Sequence, residues 1–394
     1  MKNCYDPLAS VQAAGPPGTI SFVYGLSDPN TFPIEKFQTC FDHVFKSNAS
    51  LALQYGPEQG YGPLIDYLRG RFKQKENIDL VRAQIMLTGG ASQALDHICS
   101  LFTKPGEAVI VEAPTYNESL KLFNDHGLNV FSVDIDKEGI KVGQLETILK
   151  RLKRKRKSVR FLYTIPNFQN PSGISISLAR KKAVLEVIKD WDLYLVEDDV
   201  YSELAYEEKP PPSYFSLDNT NRVLRLGSFS KILAPGLRLG WLIAPPPLIN
   251  LLVGSGLRRM GGGSNPLIAN VISYFCSQGW LEPHLKFIRA HYKLKRDIMF
   301  KSLETFMPQP LSWTKPKGGF FIWLKLPPSL KVEEVVGWAQ SSGILVLSGN
   351  DFFARPPQEP YLRLAFSFLN QNTIEEGIAK LANVIKSHLE RESS

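Results

Sequence analysis

The sequence predicts an α/β protein: a mainly parallel central sheet flanked by helices, with a smaller α+β unit built from the C-terminal part and the N-terminal segment. Three observations carry that prediction. Short apolar runs alternate with helical patterns through the middle of the chain, further strand-like runs follow a long helical stretch near the end, and the 394 residues contain no long polar linker that would separate independent globules. The chain divides accordingly into 1–48, an N-terminal segment contributing to the small unit, 49–280, the large unit, and 281–394, the small C-terminal unit.

The expected strands of the large unit are Ile85–Thr88, Ala108–Glu112, Asn129–Val133, Phe161–Ile165, Leu193–Glu197 and Val223–Leu226. Each is short and almost wholly apolar, the pattern of a strand covered on both faces. Between them Ala91–Phe102, Tyr116–His126 and Leu178–Trp191 carry helical spacing. Sheets of this kind bind ligands at the carboxyl ends of their strands. Further on, 283–300 reads as a long helix, and Gly319–Leu326, Ile344–Leu347 and Tyr361–Phe368 read as strands of a second, mixed module. Gly15-Pro16-Pro17-Gly18 and Pro210-Pro211-Pro212 mark loops, and the chain shows no internal repeat or low-complexity tract.

Composition narrows the function classes. With 43% apolar and 21% charged residues the chain can bury a sizeable core and is not expected to be disordered. The net charge of +8 gathers chiefly in Lys150-Arg151-Leu152-Lys153-Arg154-Lys155-Arg156-Lys157. That run reads as a solvated helix end or loop, and with no aromatic residues interleaved it gives no reason to expect a nucleic-acid partner. Cys4, Cys40, Cys99 and Cys276 are scattered, without CxxC pairs or partnering histidines, so free thiols and no metal site are expected. The N-terminal Met1–Pro7 has neither the apolar core of a signal peptide nor the arginine-rich character of a transit peptide, and a cytoplasmic location is the expectation. No apolar stretch reaches the roughly 18 to 20 residues that span a bilayer, so no membrane association is expected.

The chemistry is suggested by strand ends. Val223–Leu226 runs into Gly227-Ser228-Phe229-Ser230-Lys231, and Arg238 follows Lys231 by seven residues. A lysine amine reacts with a carbonyl cofactor when it is reachable and partly deprotonated, while serine hydroxyls and a guanidinium suit a phosphate dianion. Leu193–Glu197 continues into Asp198-Asp199-Val200-Tyr201, Phe161–Ile165 into Asn167-Phe168-Gln169-Asn170-Pro171-Ser172-Gly173, and Ala108–Glu112 into Pro114-Thr115-Tyr116. Thr88-Gly89-Gly90-Ala91-Ser92-Gln93 joins a strand to a helix, where backbone N–H groups and the helix dipole favour a phosphate. Taken singly, each has an ordinary reading: a strand-end lysine, a solvated or capping acid, an Asn-Pro turn, a core tyrosine, a glycine-rich connection.

Taken in order, these segments resemble the fold-type I pyridoxal-phosphate-dependent aminotransferases of class I/II, in the branch that includes 2-aminoadipate, kynurenine and aromatic aminotransferases. The resemblance covers about Ile20 to Phe368. It implies that Lys231 holds pyridoxal 5'-phosphate as a Schiff base and that Asp198, three positions before Tyr201, faces the pyridine nitrogen, with Asp199 as its rival. Tyr201 and Asn170 then face the phenolic oxygen, and Tyr116 stacks on the ring. Gly90, Ala91, Ser92, Ser228, Ser230 and Arg238 cradle the phosphate. Tyr55, in Leu53-Gln54-Tyr55-Gly56-Pro57-Glu58-Gln59-Gly60, is implied to reach the partner's phosphate in a homodimer with shared active sites. Gly25, Asn170 and Arg363 are implied for the substrate, with Arg363 taking the α-carboxylate.

Two departures stand out: Ala91 occupies a position where many relatives carry serine, and Ser348 stands where many carry proline in a Pro-Gly-x-x-Phe loop. The implied activity moves an amino group from an α-amino acid (2-aminoadipate, aromatic or otherwise bulky) to a 2-oxo acid such as 2-oxoglutarate, in two ping-pong half-reactions. A lyase or decarboxylase acting through the same cofactor, and a non-catalytic amino-acid receptor, remain open. The branch also includes regulators with a fused DNA-binding helix-turn-helix, and the absence of such a segment before residue 20 makes a transcription factor the lesser expectation.

Overall fold

The structure, a computed structural model, describes residues 18–392. Cys4, the Met1–Pro7 segment and Gly15-Pro16-Pro17 of the predicted loop lie outside the described residues. The chain opens with β1 (Ile20–Ser21), α1 (Ile34–Ala52) and α2 (Gly62–Glu76), then alternates β2 (Ile85–Thr88), α3 (Ala91–Phe102), β3 (Ala108–Ala113), α4 (Asn117–Asp125) and β4 (Asn129–Asp136). It continues through β5 (Gly139–Ile140), α5 (Val142–Arg154), β6 (Val159–Thr164), α6 (Leu178–Ile188), β7 (Tyr194–Asp198), α7 (Tyr214–Leu217), β8 (Val223–Ser228) and β9 (Gly240–Ile243). Then come α8 (Pro246–Val253), α9 (Gly256–Arg259), α10 (Pro266–Ser277) and the long α11 (Leu281–Phe306). The last elements are β10 (Ser312–Trp313), β11 (Phe321–Lys325), α12 (Val332–Ser341), β12 (Ile344–Leu345), β13 (Leu347–Ser348), β14 (Tyr361–Ala365) and α13 (Gln371–Glu392).

The central sheet has eight strands in the order β2-β9-β8-β7-β6-β3-β4-β5. The run β8-β7-β6-β3-β4 is parallel, β9 lies antiparallel between β2 and β8, and β5 is antiparallel to β4. Its strands send alternate side chains to opposite faces, and both faces are apolar because helices cover both. Val109, Val111, Phe161, Tyr163, Val196, Leu224 and Leu226 enter one core with α1, α2, α3 and α10. Ala108, Ile110, Leu162, Leu195 and Val223 enter the other, with Leu145, Leu149 and Val184 from α5 and α6. The basic run closes α5 and its exit turn, where its charged side chains are exposed.

A second sheet, β10-β11-β14-β13, is antiparallel, and β1 pairs in parallel with β12. The predicted strand Ile344–Leu347 is thus two strands, one pairing with the N-terminal segment and one with β14. The third core joins Ile20 and Phe22 to Ile322, Leu364, Ile378 and Leu381. The helix α1 packs on the large core instead, so the N-terminal segment contributes to both. The long helix α11 ties the cores together, as β11 and β14 also do: Leu281, Leu285, Ile288 and Tyr292 of α11 lie in the large core, while Met299 and Leu303 lie in the small one. Cys40, Cys99 and Cys276 are buried free thiols.

Phe22 is fully buried in the small core and is one of the anchors of the N-terminal segment. Phe22→Ala is expected to cost about 3–5 kcal/mol of unfolding free energy by chemical denaturation; a loss under about 1 kcal/mol would mean that the segment docks by its backbone pairing alone.

Candidate active site

At the carboxyl ends of the parallel strands lies a cavity of about 660 Å³. Lys231 reaches it from the turn after β8, which the Ser228 Oγ stabilises by accepting the Ser230 N–H at 3.0 Å. Its Nζ donates to the Gly25 carbonyl at 3.0 Å and sits 5.9 Å from the Phe320 ring centroid. Burial, then the positive charges of Arg363 and Arg238, bring the amine down to about 8, with Asp198 opposing them. At pH 7 an amine so placed is roughly one-tenth neutral, far more than an ordinary lysine.

The three acids at the end of β7 diverge. Glu197 is buried beneath α7 and accepts the Tyr214 and Phe215 N–H groups at 2.8 and 3.0 Å. Asp199 accepts from Arg225 at 2.6 Å and from the Asn167 amide at 2.7 Å. Asp198 alone of the three lines the cavity with Lys231. Its Oδ2 accepts the Tyr163 hydroxyl at 2.6 Å, and its Oδ1 is buried with no hydrogen-bond partner among the described residues. Burial raises this carboxyl to about 6 against the Tyr163 hydrogen bond. Tyr201 lines the same cavity, edge-on to Phe320 and Phe321, with burial raising its hydroxyl pKa.

Arg363, on β14, is buried between the Phe321 and Phe352 rings, 4.4 and 4.8 Å from their centroids. Its Nη1 donates to Asn170 Oδ1 at 2.9 Å and its Nη2 to the Val23 carbonyl at 2.7 Å, while Nε has no partner among the described residues. Burial lowers the guanidinium only to about 10, so it stays charged at neutral pH. Because Asn170 Oδ1 accepts from Arg363, its Nδ2 is the donor left for another group. Gly25 passes directly over Phe321, where a Cβ would collide with the ring.

At the far end, Ala91 and Ser92 open α3 and line the cavity with Ser228, Ser230 and Arg238. Gly90 caps that helix at a φ of 95°, and a Cβ there would stand 2.9 Å from Arg238 Nη2. Gly90 therefore backs the site and does not line it. The Arg238 Nη2 donates to the Gly89 carbonyl at 3.1 Å, which ties the guanidinium to the free N–H groups of the first helical turn. Tyr116 lines the cavity from the start of α4. Tyr55 does not: it is 79% exposed, against Gly261 in a separate surface recess shared with Arg258 and Ser264.

Sequence reasoning passed over Tyr163, the ring pair Phe321 and Phe352, and the Val23 carbonyl. Tyr163 stands across from Val196 on the neighbouring strand, which puts it diagonal to Asp198 on the same face. Nothing in its own segment marks that role.

The residues present fit one shape of ligand: a helix N-terminus, two serines and an arginine for a phosphate, an unpartnered carboxylate oxygen for a cationic ring nitrogen, and a lysine amine for a carbonyl. The family model "Aminotransferase class I and II" matches residues 34–381. The chain belongs to that family. It is 37% identical to the aromatic-amino-acid aminotransferase 1 of Thermococcus litoralis over 94% of this chain and 89% of that one. It is 32% identical to the 2-aminoadipate transaminase of Thermus thermophilus over 95% and 91% of the two chains. The solved kynurenine aminotransferase of Pyrococcus horikoshii superposes with a TM-score of 0.91 at 38% identity, covering 97% of this chain and 94% of that one. The protein is thus an enzyme, a pyridoxal-phosphate-dependent aminotransferase of fold type I.

The depressed Lys231 pKa has a testable sign. The neutral amine is the form that reacts, so the rate at which cofactor-free protein captures pyridoxal phosphate is expected to rise with pH and level off above about 8. Stopped-flow absorbance measures it, and a profile still climbing toward the ordinary lysine value of about 10.4 would contradict the assignment.

Proposed function

We propose that Lys231 is the residue that holds pyridoxal phosphate, and that the cavity binds a bulky α-amino acid, aromatic or 2-aminoadipate-like, with a 2-oxo acid such as 2-oxoglutarate as acceptor. The observation that carries this reading is the pair of buried atoms left open on one cavity, Asp198 Oδ1 and Arg363 Nε, with the Lys231 amine lining it as well. When bound, the cofactor supplies an aldehyde for the amino group and a cationic ring that takes up electrons released at the substrate's α-carbon. Asp198 holds the proton on the ring nitrogen, and Tyr201 and the Asn170 Nδ2 donate at the phenolic oxygen. Tyr116 covers a ring face. Ala91 and Ser92, Ser228, Ser230 and Arg238 hold the phosphate, with Gly90 allowing Arg238 its close approach. Arg363 receives the α-carboxylate on its open Nε edge and Gly25 leaves room beside it. Lys231 Nζ then moves the substrate's α-proton.

The side-chain space supports a bulky donor, because Val23, Leu26, Leu122, Phe321 and Leu347 line it, and the activities for which the relatives are named point the same way. A division into a large unit, a small C-terminal unit and an N-terminal segment serving both is supported by the separate cores that α11 bridges. A homodimer is supported by the exposed apolar side chains of Tyr55, Leu53 and Met260, which are 79%, 66% and 83% exposed, with Tyr55 against Gly261 next to Met260 in the chain. There Tyr55 serves the partner's phosphate. Buried free thiols at Cys40, Cys99 and Cys276 support a reducing, cytoplasmic setting.

An amino-acid panel with 2-oxoglutarate tests the activity. Glutamate and the matching 2-oxo acid are expected; ammonia or carbon dioxide instead would show lyase or decarboxylase chemistry, and binding without turnover a receptor. Lys231→Ala is expected to abolish turnover and the visible absorbance of lysine-linked cofactor. Asp198→Asn should keep the cofactor and lose about 100-fold or more in kcat, about 2.7 kcal/mol. Asp199→Asn should instead lower stability, since it weakens the partner of the buried Arg225. Equal kcat losses from both would undo the assignment. For Tyr55→Phe, weaker cofactor retention is expected with unchanged folding; a monomer fully active at high dilution would remove Tyr55 from the site.

A further inference from the structure

Behind the cavity a fully polar cross-link joins two loops that both reach it. Glu112, at the end of β3, is 1% exposed. Its Oε1 accepts the Thr164 hydroxyl at 2.5 Å, and its Oε2 accepts the Ile165 N–H at 3.1 Å and the Gln169 amide Nε2 at 2.9 Å. Burial pushes the Glu112 carboxyl up to about 7, with these three donors pulling the other way. The same Gln169 Nε2 donates to the Pro114 carbonyl at 2.6 Å. At the other end of the amide, Oε1 accepts the Ser172 N–H at 3.1 Å and the Ser172 Oγ–H at 2.5 Å.

Gln169 is therefore satisfied at both ends by buried groups that fix its sense. Turning the amide over would set an NH₂ against two donors and a carbonyl oxygen against Glu112 and Pro114. One side chain thereby spans the loop after β3, two residues before Tyr116, and the loop after β6, one residue before Asn170. Asn170 is in turn bonded to Arg363. The chain of contacts runs from Glu112 through Gln169 to the groups on either side of the reacting centre.

We propose that Gln169, oriented by Glu112 and Ser172, is a positioning residue that sets the spacing between the Tyr116 and Asn170 loops and hence the angle at which ring and substrate meet Lys231. The proposal rests on the reading of the site given above. A polar clamp suits this place because a buried amide bonded at both ends has one geometry, whereas an apolar contact of similar size slides. A misplacement of about 1 Å at a reacting centre costs on the order of 100-fold in rate, so the clamp acts on kcat more than on affinity.

The test uses the holoenzyme with Gln169→Glu and Ser172→Ala. The first keeps the shape and the acceptor for Ser172 but sets a second carboxyl group against Glu112 and the Pro114 carbonyl; the second is milder and removes one of the two donors that fix the amide, together with the acceptor of the Ile174 N–H. The readouts are circular dichroism of the bound cofactor in its visible band, which reports ring orientation, single-turnover kcat and KM for the amino-acid half-reaction, and melting temperature. Gln169→Glu is expected to lower kcat by about 10-fold or more and change the dichroic band, with KM moving less than about threefold. Ser172→Ala should shift both readouts in the same direction by less, with melting within a few degrees of the unmodified protein. Variants with an unchanged dichroic band and kcat, or a rate loss that vanishes at equal cofactor occupancy, would overturn the proposal while the unmodified protein reacts normally. If the unmodified protein itself shows no cofactor band and no half-reaction, the reading of the site fails and the clamp with it.

Discussion

Burying a carboxylate is costly unless its lone pairs are answered, and Asp198 is buried with only one of its oxygens answered from within the described chain. Much of the neighbouring structure bears on that one charge. Beside it, the adjacent Asp199 is neutralised on the other face by Arg225, whose guanidinium also holds Glu76 at 2.8 and 2.9 Å. The negative charge of Asp199 still adds to burial in raising the Asp198 carboxyl. Tyr163 works in the opposite direction by donating to the charged form. The result is an acid whose open oxygen can be satisfied by a cationic donor from outside the chain.

The parallel sheet is what keeps these opposed demands apart. Successive residues of an extended chain face opposite sides, so a single step from the last residue of β7 separates the group turned to the cavity from the group turned to the ion pairs. The second requirement, a positive charge at the other side of the reacting centre, is met from the small sheet. Arg363 comes from β14, and its fixed geometry depends on the N-terminal segment through the Val23 carbonyl. That segment is itself held: Ser27 Oγ donates to the Ser230 carbonyl at 3.2 Å, while Asp28 accepts from Lys295 at 2.5 Å and from His291 at 2.8 Å. Gly25 lies between these anchors, against both Lys231 and Phe321.

How much of this was legible in the sequence follows from whether the signal was local. The strands β2, β3, β6, β7 and β8 could be read because burial on both faces leaves a continuous apolar run, while β4, mostly part-buried, showed only through Val130, Phe131 and Val133. The strand β9 was not read, since Gly240-Trp241-Leu242-Ile243 opens on a glycine just after the Lys231 turn, and only its insertion between β2 and β8 makes it a member of the sheet. The helix α2 was obscured by its Gly-Pro opening, its internal Gly70 and a weakly amphipathic face. At the cavity, Lys231, Asp198, Asn170 and Arg363 carry their segments with them. Tyr163, Glu112 and Gln169 take their meaning from neighbours brought in by strand pairing, and no spacing along the chain announces them. Tyr55 is legible only as a motif, because what it is proposed to touch belongs to another copy of the chain.

Ser348 shows how a departure from the usual loop sequence is absorbed. Proline in a turn works by fixing φ. Ser348 reaches the same end with hydrogen bonds: its Oγ donates to Glu333 at 2.8 Å and accepts the Asn350 N–H at 3.3 Å, capping the short 3₁₀ turn Gly349–Phe352. Gly349 is tight against Tyr361, where a Cβ would come within 2.6 Å of the tyrosine side chain. The turn delivers Phe352 onto the Arg363 guanidinium, and the Phe352 carbonyl accepts the Thr115 N–H at 2.9 Å, one residue before Tyr116. A loop of the small sheet thus bears on both Arg363 and the approach to Tyr116. Ser348 thus anchors this turn through Glu333, and the turn sets Phe352 over Arg363.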